Sequence, residues 1–291
     1  MGSGVTYHDF ILLNVGRASH HADWNWKNVW SPFARIHYVA QGKAKIIRGT
    51  ETYDLKENHL YLTPSYTTHS YSCQDDLSLY YIHIYEKPGY QLSIFDSFDF
   101  PAEIEADALS VALIERLAMI NPARALQYYD PDTYDNSSTL MKNIAFQKRV
   151  PMAFEMETQG ILKQLIAKFV IHASEKHSNM DPRILQSLHY IHTNIDKPIS
   201  IDLLADQSFL TKDHFIRLFR KYLNCTPGKY INRKKIEKAQ LMLLINQTSV
   251  KDLSYNLGFE NPAYFNRLFK KITGQNPGEH RKGMRTSDQY K

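Results

Sequence analysis

Cysteine is scarce in this chain: two in 291 residues, Cys73 and Cys225. They fall in different predicted domains, so a disulfide framework or a structural zinc cluster has too few ligands to form. No apolar run approaches the roughly 20 residues of a membrane span. The N-terminus lacks a basic region followed by an apolar stretch, so no signal peptide is predicted. No Ser-His-Asp or Cys-His pattern and no Gly-rich phosphate loop stands out, which argues against an enzyme. A reducing, cytoplasmic setting is expected, with no membrane, cofactor or metal.

What is present is ordinary in bulk and uneven in charge. Hydrophobic residues make up 43% and charged residues 22%, as in a globular protein long enough for two cores. The net charge of +5 is not shared equally. Residues 181–291 hold 19 Lys and Arg against 10 Asp and Glu, a net of +9, and residues 1–180 hold 16 against 20, a net of −4. A basic domain attracts polyanions through counterion release, whatever their sequence.

The basic part contains one unit twice. Phe215-Ile216-Arg217-Leu218-Phe219-Arg220-Lys221, followed by Pro227-Gly228, matches Phe265-Asn266-Arg267-Leu268-Phe269-Lys270-Lys271, followed by Pro277-Gly278, at a distance of fifty positions. Each copy follows a short helical stretch and a turn. A repeated helix-turn-helix with a basic second helix suits two successive major grooves of one duplex. In the first copy, about 199–223, Ser200 caps a support helix burying Leu203, Leu204 and Ala205, and Thr211 caps the reading helix. Phe215, Leu218 and Phe219 at i, i+3 and i+4 face inward, which leaves Lys212, Asp213, Ile216, Arg217 and Arg220 outward. In the second, about 249–272, Ser249 caps the support helix, Gly258 supplies the turn, and Asn261-Pro262 opens the reading helix. Phe265, Leu268 and Phe269 turn inward there, and Pro262, Ala263, Asn266, Arg267 and Lys270 join the DNA-facing set. A helix over about 227–246, with Ile231, Ile236, Ala239, Leu243 and Leu244 apolar, joins the copies. Arg can fork onto guanine and Asn onto adenine, whereas Lys more often holds phosphate. For Arg217 and Arg267 both base and phosphate contacts stay open.

Upstream, residues 33–85 carry short β-rich runs separated by turn formers. They are Ile36–Val39, Lys45–Ile47, Thr52–Leu55, His59–Leu62 and Leu79–Ile84, the pattern of an antiparallel barrel or sandwich. A vaguer β stretch follows over 90–100. Helices are predicted over 103–120, with Leu109, Leu113, Ile114 and Leu117 on one face, and over 153–173, with a stripe of Leu162, Leu165, Ile166, Phe169 and Val170. Residues 174–180 read as a linker, after which Asp181-Pro182 caps a helix carrying Ile184, Leu188 and Ile191. The domains are therefore drawn at 1–175 and 181–291, and the class is α+β.

Over about 181–285 the chain resembles the AraC/XylS family of bacterial transcription regulators. The signature stands as Val250, Leu253, Gly258, Phe259, Tyr264, Phe265, Arg267, Phe269, Lys270, Lys271, Gly274, Pro277 and Arg281. Two positions depart from it: Ser254 replaces a small apolar residue, and His280 stands where Tyr commonly precedes the Arg. The β region is similar, less specifically, to the family's cupin-type sensor, through Ile36–Val39 and Gly42, then Leu62, Pro64, His69 and Tyr71, then Tyr80, Tyr81 and His83. The resemblance implies a DNA-binding transcription factor that forms homodimers, works with RNA polymerase, and binds a small effector, often a sugar, in the barrel.

Candidate effector-binding residues are Trp24, Trp26, Arg35, His37, Tyr80 and His83. Indole faces stack on sugar rings, and carboxylates and Arg take the hydroxyls. Trp24, Trp26 and Trp30 could equally close one end of the barrel as core. Alternation puts Arg35 and His37 on one face, without saying whether it is the inner one. His37, His69 and His83 are the only candidate metal ligands, and the His-x-His plus Glu pattern of metal cupins is missing. Two readings of the N-terminal half stay open: an effector site, or a module that only dimerises or binds proteins.

Overall fold

The computed structural model describes residues 8–87, 93–135, 139, 143, 150–176, 180–223, 225–245 and 248–282, without the side chains of residues 241, 244, 245 and 282. Residue 90, Asn136-Ser137-Ser138, the Leu244 side chain and Asn246 lie outside that set. The described residues up to Lys87 together with Ser93–Glu175 form one compact unit, and those from Lys176 onward form a second.

The first unit is an antiparallel β domain. Its large sheet has the order β1-β7-β2-β5-β9, with β1 Phe10–His21, β2 Ala34–Gly42, β5 His59–Thr63, β7 Asp76–Glu86 and β9 Glu103–Glu105. A smaller sheet has the order β4-β3-β6, with β3 Ala44–Arg48, β4 Glu51–Leu55 and β6 Ser70–Ser72. Period-two alternation gives the large sheet two buried faces. From one, Ala34, Ile36, Tyr38, Leu60, Leu62, Ile82 and Ile84 pack against helices α2 (Ala108–Ile120) and α4 (Met152–Val170). From the other, Val39, Tyr61, Leu77, Leu79 and Tyr81 share a core with Ala44, Ile46, Leu55, Tyr71 and Cys73 of and beside the small sheet. Each fully buried aliphatic or aromatic side chain contributes roughly 1.5–3 kcal/mol through removal from water. Gly42, at φ +94°, ends β2 where a Cβ would come within 2.0 Å of the Asp76 carbonyl oxygen, so only glycine fits.

Several expectations change. The longest strand, β1, lies in a stretch the sequence pattern did not mark. Its alternation is broken by a bulge between Leu12 and Asn14, which turns Asn14 toward the inner face while Phe10, Leu12 and Val15 face the helices. Residues 103–105 form an edge strand paired with β5, and the helix starts only at Ala108, capped by Asp107. Its first-turn Leu109 is half exposed, whereas Ile114 and Leu117 are buried. Within 90–100, Ile94–Ser97 is a short helix, α1, capped by Ser93. Phe98–Asp99 (β8) pairs with Ser174–Glu175 (β10), so the first residues of the expected linker are tied into this unit. The α4 stripe of Leu162, Leu165, Ile166 and Phe169 is buried within its own unit.

Among the described residues the second unit is all helical: α5 Pro182–Thr193, α6 Ile201–Gln207, α7 Lys212–Leu223, α8 Pro227–Ile245, α9 Val250–Asn256, α10 Pro262–Thr273 and α11 Pro277–Lys282. Two cores divide it. One gathers Ile184, Leu188, Ile191, Leu204, Phe215 and Phe219, and the other Ile236, Ala239, Leu243, Leu253, Phe265 and Phe269. Helix α8 contributes Ile231 to the first core and Ile236 to the second, so it is shared by both. Leu203, expected inward, is partly exposed on α6. No helix among the described residues is long and apolar enough to cross a membrane.

Candidate nucleic-acid interface and effector site

The two halves of the helical unit are built on one plan. Ser200 Oγ accepts from the Asp202 and Leu203 amides at the start of α6, and Ser249 Oγ accepts from the Asp252 amide at the start of α9. The turns close by the same bonds. Leu210 N donates to Ala205 O and Phe259 N to Ser254 O, both at 3.0 Å, and Phe209 N donates to Asp206 O as Gly258 N does to Tyr255 O. These pairings set the support helices and turns 49 positions apart, whereas Phe215 and Phe265 in the reading helices stand fifty apart. Glu260 is the extra residue, so the fifty-residue match holds only from the reading helix onward. Asn261 Oδ1 then caps α10 by accepting from Ala263 N and Tyr264 N, and Thr211 Oγ1 accepts from His214 N at the head of α7.

Phe215, Phe219, Phe265 and Phe269 are fully buried. On the opposite faces Lys212, Asp213, Arg217 and Arg220 of α7, and Ala263, Asn266, Arg267 and Lys270 of α10, are exposed. Ile216 and Pro262 are half buried. Lys212 pairs with Asp202 at 3.0 Å. Arg217, Arg220, Arg267 and Lys270 have no side-chain partner among the described residues, so their donors point to solvent. Both faces can therefore offer forked and single-point cationic donors to an anionic duplex.

Two residues outside the expected DNA-facing set shape this surface. Tyr264 is part exposed at the start of α10, its hydroxyl accepting from Asn232 Nδ2 at 3.0 Å. Lys235 is buried in α8 and its ammonium donates to the Lys197 carbonyl at 2.8 Å and the Gly258 carbonyl at 3.3 Å. Burial lowers its pKa to about 8. It ties the turn of the second copy to the chain after α5. The signal was available: Lys235 lies midway between Ile231 and Ala239 on one helical face. The departure at Ser254 is satisfied, its hydroxyl donating to Lys251 O at 2.7 Å. His280 packs on Phe269 with ring centroids 5.3 Å apart.

In the β unit, register answers which face is inward. Asn14 pairs with His83, His83 with Arg35, and Arg35 with Thr63, so four polar residues stand in a row across β1, β7, β2 and β5. All four are buried, Arg35 to 1% exposure. The next row holds Gly16, Tyr81, His37 and Tyr61. A Cβ on Gly16 would meet the Tyr81 hydroxyl at 2.5 Å, so the glycine leaves room for that ring. The Tyr81 hydroxyl accepts from Leu126 N at 2.8 Å, which draws the segment after α2 over this face.

Arg35 is the centre of the polar row. One guanidinium nitrogen, Nη2, lies 2.7 Å from Asp135 Oδ2, and the Ser31 hydroxyl donates to the same oxygen. The guanidinium lies 4.8 Å from the Phe33 ring centroid and 5.8 Å from that of Tyr134. Burial works against its charge, but Tyr71, Tyr134 and Asp135 more than offset this and raise its pKa. Burial pushes the Asp135 carboxyl up, against the pull of Arg35. Burial and the Arg35 charge hold His37 and His83 well below the ordinary imidazole value and His69 at about 3. His37 Nδ1 and Arg35 Nε are buried without hydrogen-bond partners among the described residues.

Of the residues singled out in the sequence, Arg35, His37, His83 and Trp24 come together on the inner face. Trp24 is buried and stacks on Tyr71 at 4.0 Å, with a second contact to His20, so it is part of the core. Trp26 is half buried and meets the His20 ring edge-on, at the margin. Tyr80 is a correction. It points to the helix side, beside Tyr38 and Arg17, because it alternates with the inward Tyr81. Tyr134, stacked on His83, and Asp135 were missed. No group of three or more His, Cys, Asp or Glu that could hold a metal occurs among the described residues.

A β domain with a polar, aromatic inner face and a helical unit with two exposed basic helices define a DNA-binding transcription regulator with a ligand-binding domain. Residues 14–126 match the AraC-like ligand binding domain and residues 204–283 match a helix-turn-helix domain. The chain thus carries an AraC-like ligand-binding domain and an AraC-like helix-turn-helix domain, and its relatives are AraC/XylS-family regulators, not enzymes. It is 24% identical over 263 residues to the uncharacterized HTH-type transcriptional regulator YfiF of Bacillus subtilis, spanning 84% of this chain and 76% of that one. It is 28% identical over 127 residues to the xylose operon regulatory protein of Escherichia coli K12, spanning 44% of this chain and 32% of that one. In fold it is similar to ToxT from Vibrio cholerae O395, solved with (E)-4-(8-methylnaphthalen-1-yl)but-3-enoic acid. The TM-score is 0.50 at 14% identity, covering 94% of this chain and 99% of that one.

Proposed function

We propose that residues 181–291 read DNA through both helix-turn-helix units, and that residues 1–175 bind a small effector that changes this reading. The observation that carries it is the pair of reading helices built on one plan, each with buried phenylalanines on one face and cationic side chains without a partner among the described residues on the other. Lys212, Asp213, Ile216, Arg217 and Arg220 form the first contact surface. Pro262, Ala263, Asn266, Arg267 and Lys270 form the second. The protein works in the cytoplasm as a homodimer on double-stranded DNA and communicates with RNA polymerase.

The effector site is the inner face around Arg35, His37 and His83, with a carbohydrate as the ligand class. Neutral imidazoles and a guanidinium hydrogen-bond hydroxyls, and the rings of Phe33 and Tyr134 offer apolar faces. The name of the xylose regulator supports the same class. Such a ligand shifts the protein only by its differential affinity for the two states. The test is fluorescence anisotropy of the full chain on a duplex from its own upstream region, titrated with a panel of sugars. An effector is expected to change operator affinity or occupancy. Tight binding that changes neither, and leaves transcription unaltered, contradicts the mechanism.

A further inference from the structure

The Arg35 guanidinium is charged and buried, and the side of its fork formed by Nε and Nη2 is incompletely filled. It presents five N–H donors in a rigid fork suited to a two-oxygen acceptor. Here Nη2 meets a single oxygen of Asp135, the Tyr134 hydroxyl also bonds to the guanidinium, and Nε has no partner among the described residues. That one oxygen is shared with the Ser31 hydroxyl. The counter-ion is also not part of the sheet. Asp135 follows the four-residue helix α3, Pro131–Tyr134, one hundred positions from Arg35.

Charge balance narrows what can bind there. A buried guanidinium stripped of its counter-charge is strongly unfavourable. A neutral ligand must therefore leave Asp135 in place, and the incompletely filled side of the fork with it. An anionic ligand can replace Asp135 and fill both arms, which is the stronger arrangement for a guanidinium. The neighbours suit the remainder of such a molecule. His37 Nδ1 is buried without a partner among the described residues, and Phe33 flanks the guanidinium at 4.8 Å.

We propose that the effector is acidic: a small molecule, a sugar acid within the carbohydrate class, whose carboxylate takes the place of Asp135 on Arg35. Asp135 is then an internal stand-in for the ligand, and its release frees α3 from the inner face. This rests on the reading of that face as the effector site.

The test is thermal unfolding of the full chain, with sodium acetate as the minimal carboxylate, acetamide as its neutral counterpart, and sodium chloride at matched ionic strength. Asp135→Ala is expected to lower the unfolding midpoint. Acetate should restore more than half of the loss and acetamide none, and adding Arg35→Met should abolish the rescue. Equal effects of acetate and acetamide overturn the proposal. If Asp135→Ala does not fold, Asp135→Asn keeps the volume and removes the charge. Calorimetry with glucuronate and galacturonate should then show about tenfold tighter binding to Asp135→Asn than to the unmodified chain, because no internal carboxylate competes. Unchanged or weaker binding, or neutral glucose and galactose binding the unmodified chain as well as their acids do, overturns it. A neutral sugar that alters operator occupancy would leave the broader function standing while this inference falls.

Discussion

The first and second helix-turn-helix copies reach the same shape by different chemistry. At the turn the second copy uses Gly258, at φ +67°, with a Cβ position only 2.4 Å from the Lys197 carbonyl carbon. By the hydrogen-bond pairing of the two turns the first copy has Phe209 there, at φ +53° and 93% exposed. A left-handed backbone is natural for glycine and strained for phenylalanine. The inner face shows a second exchange: Phe219 packs on Tyr230 at 5.7 Å, and Phe269 packs on His280 at 5.3 Å. The lesson is that burying two phenylalanines one turn apart and closing the turn fix the architecture. Turn and packing residues can then differ, as can the outward residues of the second helix in each copy.

The largest expected effects treat the copies alike. Phe219→Ala and Phe269→Ala should each lower stability by about 3–5 kcal/mol in denaturant unfolding, because both remove a fully buried ring. A large difference between them would mean that the two cores are not equivalent. Next come substitutions that should act in opposite directions. Gly258→Ala adds strain and a close backbone contact and should cost more than about 2 kcal/mol. Phe209→Gly relieves a strained position and should be neutral or gain up to about 1 kcal/mol. Equal effects of the two would break the turn-by-turn correspondence.

Arg217→Ala and Arg267→Ala separate two roles. A base contact is worth about 1–3 kcal/mol and its loss relaxes sequence preference at one position. A phosphate contact weakens binding uniformly and lowers the salt slope by about 1. Binding of each variant to a panel of duplexes over a salt series distinguishes them. The smallest effect is pH-dependent and belongs to the second copy. Burial lowers the His280 pKa to about 4. Between pH 4 and the ordinary 6.5 the unfolded chain holds more protons, so stability should fall as pH falls through that window and level off below it. Because the ring is part exposed, the expected loss is about 1–2 kcal/mol. His280→Tyr, which copies the first half, should remove it.

Features written in local periodicity were legible, and features made by distant pairing were not. Phe215, Phe219, Phe265 and Phe269 announce the reading helices through i, i+4 spacing beside capping residues. Ile36–Val39 and Leu79–Ile84 announce central strands by β-branched and aromatic content. Strand β1 escaped because its bulge and Gly16 interrupt the alternation that marks a strand. Glu103–Glu105 was absorbed into a helix because a three-residue edge strand has too little length to show a period. Leu109 and Leu203 look inward by composition but sit in first turns that face solvent. On the inner face proposed as the effector site, alternation paired Arg35 with His37 correctly, yet it could not show that Tyr80 belongs to the other face. Asp135 was invisible because nothing in the local sequence ties it to a residue one hundred positions away.

The most direct measurement is selection of bound duplexes from a random pool by the full chain at near-physiological salt. Two reading helices held by α8 predict a bipartite motif, two short blocks about one helical turn, roughly 34 Å, apart. Arg217→Ala should weaken one block and Arg267→Ala the other. A single block untouched by one of these substitutions, or binding with no enriched sequence, would contradict dual-groove reading.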